Sequence, residues 1–295
     1  MTNTPPVCNY EGSDYQTSFW DQANRAYEDA AEAVALRRML PASGELMLEL
    51  GAGAGRNTHR YAGYKKIVVL DYSRTQLEQA QKRLGRDARL VFVAADIYRL
   101  PFVNGLFDGA TMIRTLHHMA DAPLALQQVE RVMQTNGTFI LEYASKQNLK
   151  AIARWLLGRQ QWNPFTPEPV EFAALNFDFH PKAIRQWLGE LDFRIERTLT
   201  VSHLRMDLFK KLIPLKLLVA MDALFSQTGN LWQLTPSVFV KSTAMQQKPA
   251  AEGFFRCPVC ESASLTEAGE VVICEVCHRT YSRVDGIYDF RVDGN

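Results

Sequence analysis

From Leu46 to about Lys241, short apolar runs alternate with stretches in which apolar positions recur every three or four residues. Runs of four to eight apolar residues bounded by turn formers read as buried strands, and the longer periodic stretches read as amphipathic helices. Seven strands are predicted, over 46–50, 66–71, 90–93, 107–113, 137–143, 193–201 and 237–241. Between them fall helical patterns, notably 74–84, 123–133 and 181–191, the second closed by an Asn136-Gly137 turn. Strand alternating with helix implies βα units, so the expected fold class is α/β, a seven-stranded, mostly parallel, Rossmann-like sheet flanked by helices.

Two long departures from the alternation, 144–178 with its Asn-Pro and Pro-Glu-Pro segments and 202–236 with a Leu-rich helix, follow the fifth and sixth strands. Insertions at strand ends of an open α/β sheet either build substrate pockets or extend the core. In the second, Leu212, Ile213, Leu215, Leu217, Leu218, Val219 and Leu224 could pack the core, line an apolar pocket or touch a membrane surface. The pattern divides the chain into a helical preface (1–44), the α/β domain (45–241), a linker containing Pro249 (242–253) and a small C-terminal module (254–295). The preface reads as one or two helices over 19–40 ending at Pro41, with Tyr10, Tyr15, Trp20 and Tyr27 able either to stack over a ligand or to anchor it to the core.

Composition sharpens this picture modestly. With 295 residues, 47% of them hydrophobic, the chain can bury a substantial core, and its net charge of +1 carries no strong nucleic-acid signal. No N-terminal basic stretch leads into an apolar run, so no secretory signal is expected. The most apolar stretch, 208–225, is broken by Lys210, Lys211, Pro214, Lys216 and Asp222, so a cytoplasmic protein without a transmembrane segment is expected.

The chemistry starts at the first strand–helix junction, Glu49-Leu50-Gly51-Ala52-Gly53-Ala54-Gly55. Glycines there permit a tight turn and close approach of a nucleotide-type ligand to the backbone. A G-x-G-x-x-G dinucleotide fingerprint starting at Gly51 would require a small residue where Arg56 stands. Glu49 at the mouth of the loop repels a pyrophosphate and attracts the ammonium of a methionyl group, which favours a sulfonium cofactor. Asp71 closes the second strand sixteen residues beyond Gly55, where a carboxylate accepts from ribose hydroxyls. Asp96 follows the third strand, placed to accept from an adenine amine while Ile97 packs on the ring.

The ordered series ELGAGAG, VVLDYS, AADIYRLPF and FDGATMIRTLHHM resembles the motifs of class I S-adenosylmethionine-dependent methyltransferases of the type 11 kind, over roughly 45–145. The resemblance implies that Glu49, Gly51, Gly53, Asp71, Asp96 and Ile97 contact S-adenosylmethionine, with Tyr72 beside the adenine; Ala52 and Arg114 are counted with them. Arg114 has a second reading as neutraliser of an anionic acceptor and a third as partner of an acidic neighbour.

Methyl transfer from a sulfonium is an in-line displacement in which placement of the nucleophile supplies much of the rate, and a base is needed only when the acceptor must lose a proton. His117 and His118, just beyond the fourth strand, are the base candidates; in similar small-molecule and quinone methyltransferases a Leu-His-His stretch can also be structural. Glu142 and Tyr143 either face the pocket or form a structural pair, and His180 before Pro181 reads as the residue that opens a helix. No Asn-Pro-Pro-Tyr follows the fourth strand, which argues against nucleobase N-methylation.

Cys257, Cys260, Cys274 and Cys277 give C-x2-C-x13-C-x2-C, two knuckles able to place four thiolates around one structural zinc ion. With Arg279-Thr280-Tyr281 and Asp285-Gly286-Ile287 this segment is similar to zinc ribbons of the family that activates tRNA and protein methyltransferases. In that family the ribbon is a separate subunit; fused here, it implies an intramolecular stabilising or docking role. Three functions therefore stand: methyl transfer to a small, apolar acceptor; transfer to RNA or protein docked by the ribbon; and a non-catalytic, cofactor-binding regulator.

Overall fold

A computed structural model of the chain describes residues 5–9, 11–13 and 25–292. Tyr10, Tyr15, Trp20 and the 19–24 part of the preface lie outside them. Helix α1 (Ala26–Met39) is the preface helix, followed by β1 (Gly44–Leu50), β2 (Tyr64–Asp71), α2 (Arg74–Leu84), β3 (Leu90–Ala94), β4 (Phe107–Met112), α3 (Ala122–Val132) and β5 (Met133–Ala144). The first insertion holds α4 (Leu149–Leu156) and a hairpin of β6 (Val170–Ala173) and β7 (Asn176–Asp178). Next come α5 (Pro181–Glu190), β8 (Phe193–Val201), α6 (Asp207–Leu212), α7 (Leu215–Phe225) and β9 (Ser237–Ala244).

The seven expected strands all form and stand in the order β3-β2-β1-β4-β5-β9-β8. β1 pairs in parallel with β2 and β4, β4 with β5, and β2 with β3, while β9 runs antiparallel between β5 and β8. Near-continuous apolar runs make this possible, because both faces are covered: Val68, Leu70, Val93 and Leu48 pack under α3, while Ile67, Val69 and Met47 pack under α1 and α2. β5 begins four residues before the predicted start. Phe107 pairs with Met133 but Gly109 with Thr138, so the Asn136-Gly137 turn is a bulge within the strand, with Asn136 at φ 65°.

The C-terminal module does not stand apart. Its strands β10 (Leu265–Ala268), β11 (Val271–Cys274), β12 (Thr280–Val284) and β13 (Ile287–Asp289) form an antiparallel meander, and β13 then pairs in parallel with β3, giving one eleven-stranded sheet. Phe255, Tyr281, Tyr288 and Phe290 lie in the same core as Phe102 and Phe107, with Phe102 and Phe255 stacked at 6.0 Å. The stretch 242–253 begins as the end of β9, and its Lys248 is tied to Glu130 of α3. Module and domain thus share hydrophobic area, which a short meander could not supply alone.

The Leu-rich insertion departs from the core-packing reading. Leu218 is buried and Ile213 and Val219 are half-buried, but Leu212, Leu215, Leu217 and Leu224 are exposed. No described helix is long and apolar enough to cross a membrane.

Candidate functional site

The glycine loop is shaped by its neighbours. Gly51 and Gly55 adopt φ 65° and 72°, and a Cβ on Gly51 would lie 2.2 Å from Thr115 Oγ1, while one on Gly55 would meet Leu84 of α2 at 2.9 Å. A Cβ on Gly53 would meet nothing closer than Gln76 Oε1 at 3.8 Å, so Gly53 leaves its space open to a ligand. The Gly53 N–H donates to Asp71 Oδ2 at 2.8 Å and the Ser73 N–H to Asp71 Oδ1 at 2.9 Å. Asp71 therefore clamps the loop after β1 to the start of α2, and its second lone pairs remain for a ligand.

Two adjoining cavities open at the carboxyl ends of the parallel strands and share Gly51, Gly53, Gln76 and Arg114. Glu49, Ala52, Arg56, Tyr61, Thr111 and Ile113 are among the residues that line the first. The second is bounded by Asp71, Tyr72, Asp96, Ile97, Tyr98, Thr115, His118 and Met119, and by Val7 and Cys8 of the preface. All nine residues expected at the cofactor come together here. His117 lines neither cavity.

Charge is distributed unevenly along this space. Glu49 is buried and accepts from Thr58 Oγ1 at 2.5 Å; desolvation outweighs that bond and the nearby Arg56 and Arg60 and pushes its carboxyl up to about 8. Burial likewise raises the Asp71 and Asp96 carboxyls from their ordinary value. One oxygen of Asp96 accepts the Tyr98 N–H at 2.9 Å and caps the short turn 97–99, holding Ile97 against the cavity. Gln76 supplies a fourth polar group: its Oε1 is buried and has no hydrogen-bond donor among the described residues. A buried acceptor of that kind is costly unless a ligand satisfies it.

Arg114 is held in an unusual state. Its backbone sits at φ 55°, its N–H donates to Glu142 Oε2 at 2.9 Å, and its guanidinium meets Glu32 Oε1 of α1 at 2.5 Å. The reading as partner of an acidic neighbour describes its side chain, which still borders both cavities. Glu142 also accepts from Ser237 Oγ at 2.6 Å, and Tyr143 donates to Gln233 Oε1 at 2.8 Å. Neither lines either of the two cavities, and both side chains are held by protein partners, which fits the structural reading. His180 caps α5, its Nδ1 accepting the Lys182 N–H at 3.1 Å.

The two histidines differ. His118 Nδ1 lies 3.1 Å from the Leu175 carbonyl, which only accepts, so Nδ1 carries the proton and Nε2 is the basic atom. Burial lowers the His118 imidazole, and burial together with His118 and Arg114 drives His117 well below the ordinary range. Leu175 belongs to the β6–β7 hairpin, which the sequence pattern did not reveal.

Residues beyond the motif series complete the site. Glu32 is fully buried and binds both Arg56 and Arg114, Asp29 binds Arg60 at 2.8 Å and also Arg56, and together they seat α1 over the loop. One available signal was Ser73 as a helix cap, its hydroxyl accepting the Gln76 N–H, which places Gln76 in the first turn of the helix that follows Asp71. At the far edge, all four cysteine sulfurs lie within 4.8 Å of one another, with Cys257–Cys277 at 3.7 Å and Cys260–Cys274 at 3.4 Å. Against the upward push of burial, backbone N–H groups of Cys260 and Val259 and the Tyr281 hydroxyl pull the Cys257 thiol down to about 6. Four converging sulfurs with one stabilised as thiolate suit a tetrahedral metal centre.

Residues 48–141 match the family described as methyltransferase domain. An O-methyltransferase of Penicillium expansum is 30% identical over 142 residues, covering 44% of this chain and 51% of that protein. A demethylmenaquinone methyltransferase of Clavibacter sepedonicus is 32% identical over 156 residues, covering 52% of this chain and 55% of its own. The chain thus spans about half the length of the curated relatives it matches. An S-adenosylmethionine-dependent methyltransferase of Mesorhizobium loti superposes with a TM-score of 0.53 at 20% identity, over 74% of this chain and 99% of that one, which shows the shared fold.

Proposed function

From a class I, Rossmann-like methyltransferase domain as premise, we propose that this chain binds S-adenosylmethionine in the two joined cavities and transfers its methyl group to a small molecule in the cytoplasm. The observation that carries this reading is the lining of the two joined cavities by carboxylates, Glu49 in one and Asp71 with Asp96 in the other. A methionyl ammonium needs the first, and ribose hydroxyls and an adenine amine need the others; Gln76 Oε1 provides the orphaned acceptor between them. Ile97 and Tyr72 supply apolar walls for the base.

Bound S-adenosylmethionine supplies an electrophilic methyl group with a neutral thioether as leaving group. The protein's own work is then to orient it and to exclude water. Thr115 and Arg114 wall the space between the two cavities, and α1 covers it through Glu32. His118 is the base for an acceptor that must lose a proton, because its Nε2 is unprotonated and it borders the cavity, whereas His117 does not. Oxygen acceptors fit this arrangement, in line with the O-methyltransferase among the relatives. At the opposite edge Cys257, Cys260, Cys274 and Cys277 hold a structural zinc ion.

Calorimetry with S-adenosylmethionine, S-adenosylhomocysteine and NAD tests the cofactor, followed by label transfer to a panel of phenols, quinols, RNA and protein. Binding of the two adenosyl compounds and labelling of a phenol or quinol are expected. Tight binding of NAD alone would overturn the reading, and labelling confined to RNA or protein would move the acceptor to a macromolecule.

A further inference from the structure

The amphipathic sense of α7 is inverted. Its only acid, Asp222, points inward, accepting from the Tyr27 hydroxyl at 2.9 Å and lying 2.8 Å from His203 Nδ1. Leu217, Ala220 and Leu224, spaced to share one stripe, are exposed, Leu224 by 70%. A helix bordering water normally presents charge outward. α6 likewise exposes Leu208 and Leu212, the latter by 72%, and the segment 149–157 exposes Leu149, Ala153, Leu156 and Leu157.

These faces leave the fold on one side. β8 and β5 both pair antiparallel with β9 and so run in the same direction, and α4 and α6–α7 follow their carboxyl ends, the edge that carries the two cavities. The Leu149 N–H donates to the Leu234 carbonyl at 2.9 Å, which joins the two insertions next to Leu231 and Trp232, exposed by 79% and 56%.

We propose that this rim docks on an anionic lipid surface. Charge selects that occupant over a second copy of the chain. Residues 149–166 expose Lys150, Arg154 and Arg159 and contain no acid, and residues 203–232 expose Lys211 and Lys216 against one exposed acid, Asp207, while Arg205 and Lys210 are paired with the buried Glu28. Two such rims would repel each other, whereas leucines ringed by lysine and arginine match the acyl boundary and headgroups of an anionic bilayer, and Trp232 has the amphipathic ring that favours that boundary. The consequence that an apolar acceptor enters from the lipid phase rests on the proposed function; the docking itself does not.

Co-sedimentation of the full chain with phosphatidylcholine vesicles, with and without phosphatidylglycerol, tests the proposal at low and high salt. Binding to the anionic vesicles is expected, with a drop of roughly tenfold or more for Leu217→Glu/Leu224→Glu and a loss of salt sensitivity for Lys150→Glu/Arg154→Glu/Lys211→Glu. Circular dichroism and S-adenosylmethionine binding verify that the variants remain folded. Absence of wild-type binding to anionic vesicles would overturn the proposal. So would light scattering that finds a dimer dispersed by Leu217→Glu/Leu224→Glu when vesicle binding is unaffected by that variant. Failure of cofactor binding in the wild type would instead strike the proposed function and leave the vesicle result standing.

Discussion

Glu49 shows how one residue couples a site to pH. In the free protein its carboxyl titrates near 8, so at pH 7 it is mostly protonated. A cationic ligand binds the ionised form, so association releases a proton, and affinity rises with pH until about 8 and then levels off. For Glu49→Gln this part of the profile is lost, leaving only the titration of the ligand itself; calorimetry from pH 6 to 9 (an experimental range of roughly three units) measures both. Identical profiles in the two proteins would show that Glu49 does not bind the charge. At His118 burial moves the imidazole down, so the basic form persists below the usual histidine range and is lost only as pH falls through that lowered value. His118→Asn should therefore reduce kcat for a phenolic acceptor by about 10²-fold or more with little change in cofactor affinity, and the deficit should shrink as pH approaches the acceptor's own pKa. An equal loss in His117→Asn would point to packing rather than proton transfer.

Among the elements, the strands were written plainly in apolar runs, because a parallel strand covered on both faces must be apolar throughout. α1 was less legible in detail: it buries Glu28 and Glu32 beside Tyr27, Ala31 and Leu36, so its inward face mixes charge with apolar residues. What permits this is a set of cations brought from elsewhere, Arg56, Arg114 and Lys210. Removing one member of a buried pair leaves the others uncompensated, so Glu32→Ala is expected to cost about 3–5 kcal/mol, read as a lowered denaturation midpoint, and to weaken cofactor binding because α1 loses its hold on the loop. Retention of both properties would mean that α1 is not the cover of the site. The β6–β7 hairpin that sets the His118 tautomer was hidden for another reason: its residues are half-exposed and carry no alternation long enough to read.

At the scale of the whole molecule, the C-terminal module covers what would otherwise be the open edge of β3. Arg291 carries its influence further, pairing with Asp289 at 2.6 Å and Glu11 at 3.0 Å while Glu11 accepts the Arg74 and Thr75 N–H groups at the start of α2. Val7 and Cys8, near Glu11, border the second cavity, with Asp71 and Asp96. Arg291→Ala should accordingly weaken S-adenosylmethionine binding severalfold while leaving metal content unchanged, by calorimetry and metal analysis on one preparation. Stripping the cysteine cluster with a chelator, or Cys257→Ser/Cys274→Ser, should lower Tm by more than about 5 °C, because Cys257, Cys274 and Tyr281 lie in the same core as Phe102. An unchanged Tm in a preparation with no metal would remove the structural role.

By itself, the sequence determined the α/β class, the seven strands, the glycine loop with its carboxylates, and the four-cysteine spacing. Each of these is local: it follows from side-chain periodicity, from φ preferences, or from ligand types a few residues apart. Only the tertiary structure decided the fate of residues whose partners are remote, with Glu32 eighty-two residues from Arg114 and β13 almost two hundred from the strand it extends. It also separated His118 from its neighbour and turned the leucines of α7 outward. Those outcomes depend on which surfaces long-range packing covers and which buried charges it pairs, and neither is encoded in spacing along the chain.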